Sequence, residues 1–281
     1  MALTGRARAM NDDASLANVS TSDIPAGRAP LLRVRSLAKS FGEVAAVREV
    51  SFDVARGEVV AMIGPNGAGK TTCFNLIHGE LAPDRGTVTF DGASILGVAT
   101  HVLARRGIGR TFQIAATFPS MTVRESVALA LAAHDGRDRR ARPPLLATRS
   151  ARADALLARL AIDDLADVHC ATLAYGDAKR LELALALAGA PRLLMMDEPT
   201  AGMTPRSRHD LMRRVAELAR EDDVAVLFTE HDVDIVFAFA TRVIVLDEGA
   251  IIASGPPEAV RRDPGVQAVY LGLEPSPPAI A

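Results

Sequence analysis

The sequence predicts an α/β domain built on a mostly parallel β-sheet. Short apolar runs without polar alternation recur along the chain, and such runs are typical of strands buried on both faces of a sheet. They lie at 59–63, 193–196, 224–228 and 243–246. Helical patterns separate them, as at 206–220, where apolar residues recur on one face. Because strands that alternate with helices tend to pair in parallel, we expect helices on both faces of the sheet.

Composition indicates a globular protein with a sizeable core. The 281 residues are 49% hydrophobic and 23% charged, which excludes a disordered or collagen-like chain. The formal net charge of -2 disfavours nucleic-acid binding through a broadly basic surface. Two cysteines are too few for a disulfide framework, residues 1–30 lack the apolar core of a secretory signal, and no apolar stretch has the length of a membrane span. We therefore expect a cytoplasmic protein.

The chain divides into one large domain and two tails. We expect an N-terminal tail over 1–30, the domain over 31–272 and a C-terminal tail over 273–281. Roughly alternating apolar residues predict an antiparallel β portion at the start of the domain. Amphipathic patterns predict a helical subdomain inserted at about 115–175, with helices over 123–132 and 150–160.

An arginine-rich stretch joins these two helical segments. It contains Arg137, Arg139, Arg140 and Arg142 and then Pro143 and Pro144. A solvated connector is the simpler interpretation. Contact with anionic lipid headgroups or with an acidic partner surface is the alternative, which the nearby Asp135 and Asp138 weaken.

A phosphate-binding loop follows the first buried run. Residues 64–71, GPNGAGKT, fit the pattern G-x-x-x-x-G-K-[ST] between a buried strand and an apolar-faced helix. Glycines allow backbone N–H groups to surround phosphate oxygens, and the helix N-terminus adds partial positive charge. Lys70 supplies a charge for the terminal phosphates, and the Thr71 hydroxyl is a ligand for Mg²⁺. The residues expected to contact the nucleotide here are Gly64, Pro65, Asn66, Gly67, Ala68, Gly69, Lys70, Thr71 and Thr72.

Candidate catalytic residues follow the other apolar runs. Asp197 ends one run and is placed to hold Mg²⁺, while the adjacent Glu198 can act as a general base on water. Gln113 can offer an amide oxygen to the metal or orient water, and His231 can reach the terminal phosphate. Each of these residues alone is more often structural, so the prediction depends on their occurring together with the phosphate loop.

With these motifs the sequence resembles the ATP-binding subunits of ABC transporters, from Leu31 to about Gly272. Residues 110–113, RTFQ, resemble the family's Q-loop, and 173–177, LAYGD, occupy the place of its signature. Residues 193–200, LLMMDEPT, resemble its Walker B segment, and His231 is similar to its switch histidine. Phe41 lies where the family places an aromatic residue that stacks on adenine.

The resemblance implies a mechanism and a set of partners. Two such domains meet head to tail, so that each ATP, with Mg²⁺, is held by the phosphate loop of one and the signature of the other, here Tyr175 and Gly176. ATP closes the pair and hydrolysis reopens it. The implied partners are a second ATP-binding subunit of the same or a related kind, transmembrane permease subunits and, indirectly, an extracytoplasmic solute-binding protein, but no nucleic acid. The implied location is the cytoplasmic face of the membrane.

Several stretches are similar to the branched-chain amino acid importer group. They are 101–113, HVLARRGIGRTFQ; 118–123, FPSMTV; 173–184, LAYGDAKRLELA; and 266–272, VQAVYLG. Importers of urea or amides share much of this pattern and remain an alternative. A soluble ABC-type ATPase acting on DNA or ribosomes is a second alternative, disfavoured because this chain has one ATP-binding half. A P-loop kinase ranks last because it leaves the signature and His231 unexplained.

Three positions depart from the family pattern. Many signatures have a serine where this chain has Ala174, and loss of that hydroxyl removes a hydrogen bond to the γ-phosphate worth about 1.5–3 kcal/mol unless another donor replaces it. We expect the Gly176 N–H and the helix N-terminus to supply the contact. Asp177 brings negative charge near the phosphate position, and Thr204 stands near the place of an aspartate that is usual after Walker B.

Overall fold

An antiparallel sheet forms the first part of the structure, a computed structural model that describes residues 29–111, 118–135 and 143–269. Its strands are β1 (Pro30–Phe41), β2 (Val44–Ala55), β4 (Arg85–Phe90) and β5 (Ala93–Ser94), in the order β2-β1-β4-β5. All three pairings are antiparallel, as predicted for the start of the domain. The tail at 273–281 and most of that at 1–30 lie outside the described residues.

The second sheet has six strands and confirms the predicted α/β class. Its strands are β3 (Val59–Ile63), β6 (Ile108–Thr111), β7 (Leu193–Asp197), β8 (Ala225–Thr229), β9 (Arg242–Asp247) and β10 (Ala250–Gly255). They lie in the order β10-β9-β3-β8-β7-β6, and every pairing is parallel except that of β9 with β10. The four predicted apolar runs form β3, β7, β8 and β9, which places their carboxyl ends along one edge.

Nine α-helices occur in the described ranges. They are α1 (Lys70–Ile77), α2 (Thr100–Arg105), α3 (Val123–His134), α4 (Pro143–Arg159), α5 (Tyr175–Leu187), α6 (Pro205–Glu221), α7 (Val233–Phe239), α8 (Pro257–Arg262) and α9 (Pro264–Val269). Of these, none combines the length and the apolar character that crossing a membrane requires.

The helical insertion contains α3, α4 and α5. A capping box starts α3, because the Thr122 side chain accepts from the Glu125 N–H and the Glu125 carboxylate accepts from the Thr122 N–H. Helix α4 begins at Pro143, seven positions before the predicted start at 150, so the prediction that Pro143 and Pro144 belong to a connector is wrong. Proline suits the first turn of a helix, where its missing N–H costs no hydrogen bond. The four arginines of the stretch lie outside the described residues.

The four inner strands of the six-stranded sheet, β3, β7, β8 and β9, are buried on both faces. In β3, Val60 and Met62 pack with the antiparallel sheet and α1, while Val59, Ala61 and Ile63 pack with the helical insertion and α6. This alternation explains why the strand shows no polar period in the sequence. One face is therefore covered by a second sheet together with helices, where the sequence had suggested helices on both faces.

A buried ion pair connects the two sheets. The Arg242 Nε donates to Glu58 Oε1 at 2.7 Å and its Nη2 donates to the Asp53 carbonyl oxygen at 2.5 Å. Glu58 Oε2 accepts from the Ala55 N–H at 2.8 Å. Since Arg242 starts β9 and Asp53 lies in β2, this pair holds the antiparallel sheet against the core sheet.

Candidate nucleotide-binding site

The predicted phosphate loop connects the end of β3 to the start of α1. Gly69 is the N-cap of α1 with a φ of 97°, a conformation that glycine adopts at little cost. A Cβ atom on Gly69 would lie 2.3 Å from the Ala46 carbonyl oxygen, and one on Gly64 would lie 2.1 Å from the Leu246 carbonyl oxygen. These two glycines are therefore required by close packing of the loop against β2 and β9 as well as by its curvature.

Lys70 is folded back onto its own loop. Its Nζ donates to the Gly64 carbonyl oxygen at 2.7 Å and to that of Pro65 at 3.0 Å. Burial lowers the pKa of Lys70 below its usual value, and the carboxylates of Glu198 and Asp197 oppose that shift. A phosphate oxygen arriving in the loop can replace these carbonyl contacts and restore a full charge partner to the ammonium group.

A cleft of about 190 Å³ lies in front of the loop. Its lining combines most of the predicted loop with two of the three predicted catalytic side chains and one residue of β2: Ala46, Asn66, Gly67, Ala68, Gly69, Lys70, Thr71, Thr72, Glu198 and His231. Gly64 and Pro65, also predicted to contact the nucleotide, are not among the residues that line it. Nothing in the sequence pattern indicated Ala46, because it reaches the cleft through the fold of the antiparallel sheet.

Glu198 and His231 face each other across this cleft. His231 Nε2 lies 2.7 Å from Glu198 Oε1. Glu198 has a φ of 48°, and its N–H donates to the Thr229 carbonyl oxygen at 3.2 Å and to Thr229 Oγ1 at 3.0 Å. The left-handed backbone costs a non-glycine residue free energy, and the bonds to Thr229 maintain it. The carboxylate is thereby aimed along the end of the sheet toward the loop.

Asp197 ends β7 beside the cleft. Its Oδ1 accepts from Thr229 Oγ1 at 2.7 Å, and its Oδ2 lies 3.8 Å from Arg110 Nη2. Arg110 also donates to Asn75 Oδ1 at 2.8 Å and pairs with Glu80 at 3.1 Å. The sequence placed Arg110 only within the Q-loop motif, and its contact with Asp197 was not foreseen. Gln113 lies outside the described residues.

The protein donors suit Mg²⁺ bound together with phosphates. In the part of the chain that the structure describes, no group of three or more His, Cys, Asp or Glu residues can hold a metal ion by itself. Mg²⁺ is commonly held by one or two protein oxygens together with phosphate oxygens and water. The Thr71 hydroxyl at the cleft and the Asp197 carboxylate beside it match that requirement.

The predicted signature residues do not line this cleft. Tyr175 and Gly176 begin α5, and Tyr175 is half exposed against the loop that contains Gly202. Asp177 pairs with Arg180 at 3.4 Å and lies in the first turn of α5, where the helix dipole favours a negative charge. This arrangement gives Asp177 a structural role that the sequence did not suggest.

The structure also shows the contacts of Thr204 and Phe41, two other residues singled out in the sequence. Thr204 is the N-cap of α6, and its hydroxyl accepts from the Ser207 N–H at 3.4 Å, so it performs the capping function for which aspartate is also suited. Phe41 ends β1, half exposed, with Lys39 Nζ 5.7 Å from its ring centroid, and it lies outside the cleft lining. Its stacking on adenine stays a prediction.

Comparisons with known proteins agree with these features. A family model described as "ABC transporter" matches residues 47–201, and one described as "Branched-chain amino acid ATP-binding cassette transporter" matches residues 250–274. The chain is 38% identical over 252 residues to the high-affinity branched-chain amino acid transport ATP-binding protein BraF of Pseudomonas aeruginosa, a match that covers 86% of this chain and 98% of BraF.

Solved structures give the same result. A crystal structure of a nucleotide-free ATP-binding cassette from an ABC transporter superposes with a TM-score of 0.76 at 32% identity, covering 87% of this chain and 100% of that one. A dimeric structure of an ATP-binding cassette in a post-hydrolysis state, bound to ADP and Pi, gives a TM-score of 0.69 at 26% identity, covering 80% of this chain and 98% of that one.

Proposed function

Since this chain belongs to the ABC transporter family, we propose that it is the ATP-hydrolysing subunit that energises import of branched-chain amino acids through separate membrane subunits. Membership confirms the resemblance that the sequence motifs predicted. As an ATP-binding cassette the chain binds ATP, and its ATP hydrolysis is coupled to transport. The substrate, the catalytic roles of individual residues and the solute-binding partner are our proposal.

The observation that carries the catalytic proposal is the 2.7 Å contact between Glu198 Oε1 and His231 Nε2 in front of the phosphate loop. Glu198 accepts a proton from the attacking water, and His231 keeps the carboxylate oriented and donates toward the terminal phosphate. Lys70 leaves the carbonyl oxygens of its own loop and pairs with the β- and γ-phosphates. Backbone N–H groups of Gly67 to Thr71 hold the phosphate chain.

Mg²⁺ neutralises phosphate charge when bound and lowers the barrier to transfer of the γ-phosphoryl group to water. Thr71 and Asp197 are the residues described by the structure that we assign to holding it, with Gln113 as the third predicted donor. Thr229 fixes one Asp197 oxygen by a 2.7 Å hydrogen bond, and the other lies 3.8 Å from Arg110 Nη2.

ATP-binding subunits of this family act with membrane permeases, and dimeric cassettes indicate a second ATPase subunit. We propose that Tyr175 and Gly176 contact the nucleotide held by that second subunit. Their position outside the chain's own cleft supports this assignment. We further propose a peripheral location at the cytoplasmic face of the membrane and an extracytoplasmic solute-binding protein that delivers the substrate.

The substrate assignment is supported by two comparisons. The relative BraF matches over most of the length, and the branched-chain family model matches residues 250–274, which include β10, α8 and α9. A urea or amide importer of the same type is the alternative that the sequence left open.

Purification of the chain with its membrane partners tests the proposal. The complex is reconstituted in proteoliposomes with its solute-binding protein, and ATP turnover is measured with leucine, isoleucine, valine, urea or acetamide. Stimulation of ATP turnover by the branched-chain amino acids supports the assignment. Stimulation by urea or acetamide alone would contradict it and indicate a urea or amide importer. Turnover without any membrane partner or solute dependence would contradict an import function and favour a soluble ATPase.

A further inference from the structure

We propose that Glu230 is a positioning residue that sets the geometry of the Glu198–His231 pair. Its side chain is buried, with the residue 3% exposed. Oε1 accepts from the Thr200 N–H at 2.9 Å and from Thr200 Oγ1 at 2.5 Å, and Oε2 accepts from the His231 N–H at 3.0 Å. The inference rests on the proposed function, because it concerns the two side chains to which that function assigns catalysis.

The location of these three bonds connects the two catalytic residues. Thr200 lies two residues after Glu198, and Glu230 lies immediately before His231. Strands β7 and β8 end here as parallel neighbours, with Asp197 opposite Thr229. One residue beyond the last ladder pair, the Glu198 N–H still bonds to Thr229, and after that point the two segments leave the sheet. Beyond the sheet, the Glu230 carboxylate connects the two segments, because it accepts hydrogen bonds from Thr200 in one and from His231 in the other.

A carboxylate is the side chain that three converging donors require. Its two oxygens can accept from all three groups at once, whereas an amide has one oxygen and would turn an N–H group toward one of the donors. Within the described residues, no Lys, Arg or His forms an ion pair with Glu230. Burying a carboxylate costs free energy that these three bonds offset, whereas an apolar side chain would leave all three donors without an acceptor. Placement of the two backbone segments is what the carboxylate adds.

A second link joins the same two segments farther from the cleft. Arg208 Nε donates to the Met203 carbonyl oxygen at 2.8 Å, and its Nη1 donates to Asp232 Oδ2 at 2.6 Å. Arg208 is partly exposed, and its contacts lie beyond Thr200 and His231 along both segments. We infer that Arg208 limits separation of the segments, while Glu230 sets the distance between the Glu198 carboxylate and the His231 ring.

Glu230→Gln tests this role, with Glu217→Gln on the exposed face of α6 as the matched control. A misplacement of catalytic groups by about 1 Å can reduce turnover about 100-fold, so we expect kcat to fall about 10- to 100-fold in Glu230→Gln. The KM for ATP should change less than about threefold, because the phosphate loop is untouched. Glu217→Gln should match the wild type. An unchanged kcat, or a loss confined to KM, would overturn the proposal.

A double-mutant cycle separates positioning from a general loss of structure. In a His231→Ala background, with turnover followed by single-turnover ATP hydrolysis, Glu230→Gln should reduce the rate much less than it does in the wild type. An equal fractional loss in both backgrounds would show that Glu230 does not act through His231 and would overturn the inference.

Amide hydrogen exchange tests the Glu230 contacts without a measurement of activity. Peptides containing Thr200 and His231 should exchange faster in Glu230→Gln than in Glu217→Gln, while the loop at 64–71 is unchanged. Unchanged exchange at the Thr200 and His231 amides would contradict the positioning role of Glu230, whatever the activity of the protein. Absence of ATP turnover in the wild type would instead contradict the proposed function, so the two failures are distinguishable.

Discussion

His231 Nε2 lies 2.7 Å from Glu198 Oε1, and 33 residues separate the two in the chain. The contact arises because β7 and β8 are parallel neighbours whose carboxyl ends meet at the same edge of the sheet. The phosphate loop follows β3 at that edge as well. Strand order therefore brings a carboxylate, an imidazole and the phosphate loop to the same edge of the sheet, as is general for open parallel sheets.

Glu198→Gln should retain ATP binding and lose turnover. The amide preserves the shape of the side chain but cannot accept the proton from water, and general base catalysis contributes about 10²- to 10⁴-fold. We expect kcat to fall by that factor and the ATP-bound dimer to accumulate, as measured by turnover and by size-exclusion chromatography with ATP. Glu217→Gln is again the control for the chemical change. Normal turnover in Glu198→Gln would remove Glu198 from the role of base.

Gly69→Ala should damage both the fold and nucleotide binding. The new Cβ would meet the Ala46 carbonyl oxygen at 2.3 Å, at a residue whose φ of 97° already disfavours alanine. Backbone strain of this kind costs about 1–3 kcal/mol, and the contact adds to it. Gly42→Ala is the control, since Gly42 has a φ of 60° and no atom within 4 Å of its Cβ position.

Urea unfolding and ATP titration of both glycine variants give the measurement. We expect Gly69→Ala to lose more unfolding free energy than Gly42→Ala and to bind ATP more weakly. Equal losses of unfolding free energy in the two variants would mean that the positive φ alone accounts for the need for glycine. The contact between the new Cβ and the Ala46 carbonyl oxygen would then be relieved by a small shift of β2.

The sequence predicted those parts of the molecule that depend on local pattern. The apolar runs gave four core strands, and the phosphate loop was recognisable because its glycines, Lys70 and Thr71 occur at fixed spacing. The role of Ala46 in the cleft and that of Glu230 beneath it could not be predicted in this way. Both depend on which strands become neighbours, and a buried glutamate has no pattern that separates it from a surface one.

The start of α4 shows a different limit. Pro143 and Pro144 suggested a connector, because proline usually interrupts helices, yet both lie in the first turn of α4. The sequence alone does not decide between these two uses of proline. The helix beyond them, with its apolar face packed in the helical insertion, determines the outcome.

Ala174→Ser should stabilise the fold and leave nucleotide affinity nearly unchanged. Ala174 is the N-cap of α5 and offers no side-chain acceptor, and the Asp177 N–H donates to the Ala174 carbonyl oxygen at 3.0 Å. A serine hydroxyl adds a second acceptor for that N–H, and an N-cap side chain of this kind contributes about 0.5–2 kcal/mol. The Gly176 N–H and the helix N-terminus supply the phosphate contact in our proposal. We therefore expect a raised unfolding free energy and less than about a threefold change in the ATP affinity and turnover.

Comparison of ATP with ADP distinguishes the two effects of that serine. A hydroxyl that reaches the γ-phosphate strengthens ATP binding but not ADP binding. An increase of about tenfold or more in affinity for ATP alone would contradict our expectation and show that the missing hydroxyl matters in this chain.

Breaking the buried Arg242–Glu58 pair should destabilise the protein strongly. Arg242→Met leaves the Glu58 carboxylate buried with the Ala55 N–H as its remaining described donor, and loss of one partner of a buried pair costs about 3–5 kcal/mol. Urea unfolding measures the change. Arg262→Met on α8 is the control, because its pair with Glu258 is exposed and separated by 3.8 Å, so its removal should change little. Equal effects of the two substitutions would contradict a structural role for the buried pair.

Stability should fall as the pH drops below 6.5, in part through His78. Burial lowers the pKa of His78 from 6.5, the nearby Arg110 lowers it further, and Glu80 opposes the shift. The unfolded chain therefore binds a proton at a pH where the folded imidazole remains neutral. As pH falls through 6.5 toward the lower folded pKa, the unfolded state gains protons first and unfolding becomes easier.

His78→Gln removes this contribution, so the variant should lose less unfolding free energy than the wild type between about pH 7 and pH 5. Urea unfolding at several pH values, with exposed His101→Gln as the control for loss of one imidazole, measures the difference. The same pH dependence in His78→Gln and the wild type would show that His78 does not contribute to acid sensitivity.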